Sequence, residues 1–206
     1  MVMASGSSPS PRPFPRRSPS ARRRLTARDW AAEALKALGE GGGLAALSVE
    51  ALATRLGATK GSFYWHFANR DALIEAALVR WEQLGTEAVI ADLETEPDPE
   101  KRLRTLLLRA TEAAAEDSLE LSLLAHADHP AVAAVLARVT ERRVGYVTAL
   151  FAELGFTAPE AERRGLLSYS AFLGHAQLGH AVPTSLPTGP ARARYLDAVI
   201  DTMLKR

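Results

Sequence analysis

Lys60, Tyr64 and His66 place an ammonium, a phenol and an imidazole close together in the run GATKGSFYWHFANRDAL, Gly57 to Leu73. Thr59, Ser62 and Trp65 add hydroxyl and indole donors to the same run. Phe63, Tyr64, Trp65 and Phe67 also crowd here, although the whole chain is only 6% aromatic. Donors of these types hydrogen-bond to phosphate oxygens and to the edges of bases. Gly61 and Ser62 are small enough to allow close approach by a partner. Arg70 adds charge at the start of the next helix, where free backbone N–H groups already favour anions. The chemistry on offer is recognition of a polyanion, with no bond made or broken.

Such donors need a rigid support. Residues 60–66 read as a short helix in which Phe63 and Phe67, four apart, share one face. A helix this short cannot hold itself by its own hydrogen bonds. The two phenylalanines must therefore pin it to neighbouring apolar stripes, leaving Tyr64, Trp65 and His66 with their polar tips near the surface. The flanking signals agree. Ser48 can cap a helix over 49–56, with Glu50 in its first turn and Val49, Leu52, Ala53 and Leu56 as its stripe. Gly57 ends it, Thr59 caps the 60–66 helix, and Asn69 caps a third that runs to about 91 through Leu73, Ile74, Ala77, Leu78 and Trp81. Two short helices across the turn LGAT form the helix-turn-helix layout. A major groove ~12 Å wide admits one such helix.

The run LSVEALATRLGATKGSFYWHFANRDALIEAAL closely resembles the DNA-binding signature of the TetR-type (TetR/AcrR) family of transcriptional regulators. Ser48, Leu52, Ala53, Gly57, Thr59, Gly61, Ser62, Tyr64, His66, Phe67 and Leu73 carry the resemblance, which covers about residues 25–80. It implies a homodimeric, repressor-like protein whose third helix reads the major groove and whose C-terminal domain binds a small-molecule effector. Ser48, Thr59, Tyr64, His66 and Arg70 fall where family members contact phosphates. Lys60, Gly61, Ser62 and Trp65 fall where bases are approached. Arg70 stands in place of the usual lysine, and GEGGGLAAL makes the first connection unusually rich in glycine.

The chain has 206 residues, 47% of them hydrophobic, which suffices for one sizeable core or two small ones. Ala, Leu, Arg and Glu dominate and β-branched residues are sparse, so helices are expected throughout. The expected fold class is all-α: an N-terminal three-helix helix-turn-helix domain followed by a C-terminal helical bundle, about nine helices in all. The domains divide as a disordered basic arm over 1–22, a DNA-binding domain over 23–80 and an effector-binding and dimerisation domain over 81–206. Leu25–Leu38 reads as the first helix, stopped by GEGGG at 39–43, which should form a flexible connection. After the break at TEPDPE come helices over about 99–116, 118–127, 129–154, 158–180 and 189–205.

Net charge is only +1, but it is unevenly spread. Arg12, Arg16, Arg17, Arg22, Arg23, Arg24 and Arg28 all precede the first acid, Asp29. The Pro- and Ser-rich start cannot bury enough surface to order itself. Arg22, Arg23 and Arg24 either reach phosphates or a minor groove, or form a solvated tail. No cysteine is present, which excludes a disulfide scaffold and thiolate metal sites and suits a reducing cytoplasm. No apolar run approaches the ~20 residues that span a bilayer. The arginines are followed by no apolar segment of the secretory kind, although an Arg- and Ser-rich, acid-free start also fits an organelle transit peptide.

The C-terminal helices carry broad apolar faces, as a bundle requires. Leu107, Leu124, Tyr146, Phe172 and Gln177 are candidates for an effector pocket, with Tyr169 beside them. The stripes containing Leu166, Ser170 and Leu173, and Tyr195, Leu196 and Val199, need burial by something. By resemblance, they form the dimer's four-helix interface. His126 and His129, and His175 and His180, lack the carboxylate geometry of a metal site, so neither metal nor cofactor is expected. No nucleophile–base motif, phosphate loop or carboxylate pair suggests an enzyme. The expected function is a sequence-specific, ligand-released repressor acting on palindromic double-stranded DNA. The rivals are an effector-independent regulator and an architectural protein that coats DNA without sequence preference.

Overall fold

Each short helix of the N-terminal domain begins at a side chain that accepts a backbone N–H. The protein's structure, a computed structural model, describes residues 24–116 and 118–205. The predicted disorder of 1–22, and with it Arg22 and Arg23, lies outside the described residues. Thr26 opens α1 (Ala27–Ala37) with a reciprocal capping box to Asp29. Ser48 Oγ accepts from Ala51 N at 3.1 Å to open α2 (Val49–Arg55). Thr59 Oγ1 accepts from Ser62 N at 3.2 Å to open α3 (Lys60–Tyr64). Asn69 Oδ1 accepts from Ala72 N at 2.9 Å to open α4. Each cap satisfies a donor that the helix itself leaves free.

Helix α4 runs unbroken over 70–93, as Arg70–Glu82, a π-helical turn Gln83–Glu87, and Ala88–Leu93. The bundle follows as α5 (Pro99–Glu116), α6 (Leu119–Leu124), α7 (Pro130–Glu153), α8 (Ala158–Ala181) and α9 (Gly189–Leu204). The fold is all-helical, with nine helices and no strand among the described residues. Among the same residues, no helix is long and apolar enough to cross a membrane.

The glycine-rich stretch after α1 differs from its expected form. It does not stop the helix at Gly39 but extends it by a π-helical turn, Leu38–Gly42, before positive φ at Gly41 and Gly43 turns the chain. Nor is it loose. Arg55 holds Glu40 with both terminal nitrogens, at 2.7 and 3.0 Å, and Ser118 donates to Gly39 O at 2.8 Å. The guanidinium of Arg55 keeps the Glu40 carboxyl below its ordinary pKa. Gly43 is required twice over. Its φ of +55° disfavours a side chain, and a Cβ there would run into the ring of His126.

Two buried clusters order the molecule. One joins the α1–α4 domain, through Trp30, Leu52, Phe63, Leu73 and Ile74, to Leu123, Val132 and Val135 of the bundle. The other lies within the bundle, around Leu103, Leu150, Phe151 and Ala161. Burying each large side chain contributes roughly 1.5–3 kcal/mol. The first cluster crosses the expected boundary at 80/81, which falls inside the continuous α4.

Helices α7 and α8 pack closely at Gly165. A Cβ there would meet the Thr148 hydroxyl and lie 3.1 and 3.2 Å from its backbone N and Cα. Gly165→Ala is expected to cost about 1–3 kcal/mol by overpacking and to lower Tm by roughly 3–10 °C. Thermal unfolding followed by circular dichroism checks this, and an unchanged Tm would show that the two helices can separate without loss.

Candidate functional site

The turn between α2 and α3 sets the angle of the candidate groove helix. Ala58 N donates to Ala53 O at 2.8 Å and Gly57 N to Thr54 O at 3.1 Å. This is a Schellman ending, and it demands the positive φ of 61° that Gly57 supplies. Phe63 is fully buried, edge-on to Trp30 at 5.4 Å and stacked on Phe67 at 5.5 Å. These contacts fasten α3 by one face, as its spacing predicts.

The other face is left to solvent. Trp65 is 81% exposed and Tyr64 61% exposed, although Tyr64 still rests edge-on against Phe63. Thr59, Lys60 and Gly61 are exposed, and Ser48, Ser62 and His66 half-exposed. Large aromatic rings so open are rare on a free surface unless something binds there. The helix ends at Tyr64, earlier than expected, and Trp65 and His66 ride on the turn that follows it. Ser48 and Thr59 use their oxygens as caps, so each hydroxyl keeps its own hydrogen to donate.

Gly61 sits in ordinary helical backbone, and a Cβ there would meet only Thr59 Oγ1, at 3.7 Å. Nothing inside the chain asks for glycine, which costs a helix roughly 1 kcal/mol relative to alanine. Gly61→Ala is therefore expected to raise stability by about 0.4–1 kcal/mol while weakening duplex DNA binding at least about tenfold. Denaturant unfolding and fluorescence anisotropy would read the two effects separately. Unchanged affinity would mean that nothing approaches α3 closely at this point.

Lys60 is paired with Glu50 of α2. The pairing lowers the Glu50 pKa and raises that of Lys60, and both groups are exposed enough to exchange partners. Arg70 departs from its expected role. Its Nε donates to Leu47 O at 3.1 Å and its Nη2 to Leu44 O, so the guanidinium is turned back into its own domain. It fastens the start of α4 to the irregular turn after Gly43. Arg24 is exposed just before α1.

A cavity of about 380 Å³ opens between α4, α5, α6, α7 and α8. Of the candidate pocket residues, Leu107, Tyr146 and Phe172 line it, and Tyr169 joins them. Leu124 does not; it lies on a shallow groove over α7 because α6 turns its other side, with Glu120 and Leu121, to the cavity. Gln177 also lies outside the lining, exposed on the far side of α8. Among the lining residues that periodicity did not single out are several polar ones. Arg143 Nη1 donates to Glu120 Oε2 at 2.7 Å, and Tyr169 donates to Glu120 Oε1 at 3.0 Å. Arg143 Nε donates to Thr86 Oγ1 at 2.9 Å and its Nη2 to Gly85 O at 3.1 Å, inside the π-helical turn of α4. The network thus ties α6, α7 and α8 to the helix that enters the N-terminal domain. Burial and the neighbouring Glu120 charge push the Tyr169 phenol up, so it stays protonated and able to donate. Burial likewise raises Tyr146, against the pull of Arg102. An acid and a base on otherwise apolar bundle faces were the available signals for this network.

The stripes expected at a dimer seam are partly open. Leu166 is 57% exposed, Ser170 and Tyr195 are exposed, and Leu173 and Val199 are half-buried. Leu196 is instead buried within its own chain, where a second copy would gain nothing from it. Among the described residues, no group of three or more potential metal ligands occurs.

Residues 32–77 match the family described as bacterial regulatory proteins, tetR family. The whole fold is similar to a transcriptional regulator from Rhodococcus sp. Rha1, at a TM-score of 0.68 and 22% identity over 87% of this chain and 94% of that one. It is also similar to a TetR-family transcriptional regulator from Mesorhizobium loti, at a TM-score of 0.64 and 20% identity over 91% and 98%. No curated protein matches the sequence.

Proposed function

We propose, from a chain whose residues 32–77 match the tetR family of bacterial regulatory proteins, that two copies bind a palindromic duplex and repress transcription until a small molecule releases them. The observation that carries this is the division of labour in α3. Phe63 and Phe67 are buried and hold it, while Tyr64 and Trp65 stand exposed beside an alanine-sized gap at Gly61. In this reading, α3 enters the major groove. Lys60 leaves Glu50 for DNA, and Ser48, Thr59, Tyr64 and His66 donate to phosphates. Arg70 supports the surface from behind.

The open stripes on α8 and α9 supply the contact between copies, around Leu166, Ser170 and Tyr195. A two-fold dimer carries two α3 helices to half-sites ~34–36 Å apart or somewhat more. An effector in the cavity acts through the Arg143 network on α4, and it releases DNA only by binding one head separation better than the other. Selection of bound duplexes from random DNA at physiological salt tests the reading. It predicts enrichment of an inverted repeat. Retention without enrichment, lost steeply with salt, would identify a non-specific DNA-coating protein instead.

A further inference from the structure

We infer that the cavity takes an uncharged, largely apolar small molecule bearing a hydroxyl or carbonyl group, and that the Arg143–Glu120 pair turns away charged molecules of the same size. The regulatory consequence rests on the effector reading above; the binding itself rests on the cavity.

At about 380 Å³, the cavity lies in the range of small-molecule sites. Trp81, Leu107, Tyr146 and Phe172 give it walls suited to a ring or a short apolar body. Its interior charges are one acid and one base, and each already holds the other. The Glu120 and Arg143 side chains are only 12% and 18% exposed and meet at 2.7 Å. The second carboxylate oxygen of Glu120 takes the Tyr169 hydroxyl, and Thr140 completes the chain at 3.3 Å from that hydroxyl. Arg143 is further committed to Thr86 and Gly85 and lies over the Trp81 ring, 5.3 Å from its centroid.

A carboxylate entering this space finds Arg143 neutralised and Glu120 beside it. An ammonium finds the reverse. Each must either break a buried pair or be buried without a counter-charge, and both are costly. A neutral oxygen meets no such conflict, since it can accept an N–H of Arg143 while the pair stays closed. The rim is balanced in the same way, because Arg109 is paired with Asp92 at 2.5 Å. The interior therefore selects for polarity without charge.

Isothermal titration calorimetry of the full chain with 2-naphthol, 2-naphthoate and 2-naphthylmethylammonium at pH 7 holds the naphthalene body constant and varies the polar group from neutral to anionic to cationic. The expected result is that 2-naphthol binds at least tenfold tighter than either ion. Ala110→Trp, on the cavity wall, should abolish that binding. Glu120→Gln keeps the shape but frees the Arg143 charge, and it should raise 2-naphthoate affinity at least tenfold. Equal or tighter binding of an ion by the unchanged protein would overturn the inference. So would 2-naphthol binding that Ala110→Trp leaves intact while the variant melts as the parent does, or no binding by any of the three probes. No DNA is present in these titrations, so their failure leaves the groove reading standing, and a failure of DNA binding leaves them interpretable.

Discussion

Tyr64→Ala should cut affinity for the selected duplex by roughly 30- to 1000-fold while the protein remains folded. Each copy in a bound pair loses about 1–2 kcal/mol of contact, the loss is doubled across two half-sites, and 1.4 kcal/mol is a factor of ten. The fold should tolerate the change because Tyr64 is 61% exposed and gives up only its edge contact with Phe63. Phe63→Ala is the control with the opposite character. It removes a fully buried ring, at a cost of about 3–5 kcal/mol, and should lose DNA binding only by unfolding the domain. Anisotropy and circular dichroism on both variants separate the two routes. If Tyr64→Ala binds as well as the parent, the exposed side of α3 is not the contact surface.

Arg143→Ala should destabilise the protein by about 3–5 kcal/mol, because it leaves the Glu120 carboxylate buried without its cation. The same change strips the π-helical turn of α4 of two hydrogen bonds, at Thr86 and Gly85. Adding Glu120→Leu should return part of the loss, since no carboxylate is then left buried without a cation. Denaturant unfolding of the two single variants and the double variant gives the coupling directly. Additive losses would mean that the two groups stabilise the bundle independently, and the network would then be no more than a set of neighbours.

How much of this was legible in the sequence depended on how local each feature is. The helix-turn-helix was readable because Ser48, Thr59 and Asn69 cap the segments they precede, and Gly57 ends one by its own backbone preference. Phe63 and Phe67 announced their burial by a spacing of four. Arg70 was not readable, since its partners at Leu44 and Leu47 are brought to it only by the irregular path through Gly41 and Gly43. The hold of Arg55 on Glu40, which fixes that path, was hidden for the same reason. The bundle helices carry broad apolar faces, so periodicity could not tell which part of a face lines the cavity. Leu107 and Phe172 do face it, but Leu124 and Gln177 do not. The Glu120–Arg143–Thr86 network spans three helices, and no local pattern brings such residues together.

Methylation interference at guanine N7 on the selected duplex tests entry of α3 into the major groove most directly, because N7 faces that groove. If α3 enters the major groove, interference falls at guanines in two symmetric half-sites about one helical turn apart. Interference absent from the major groove, or spread evenly along the duplex, would contradict that entry.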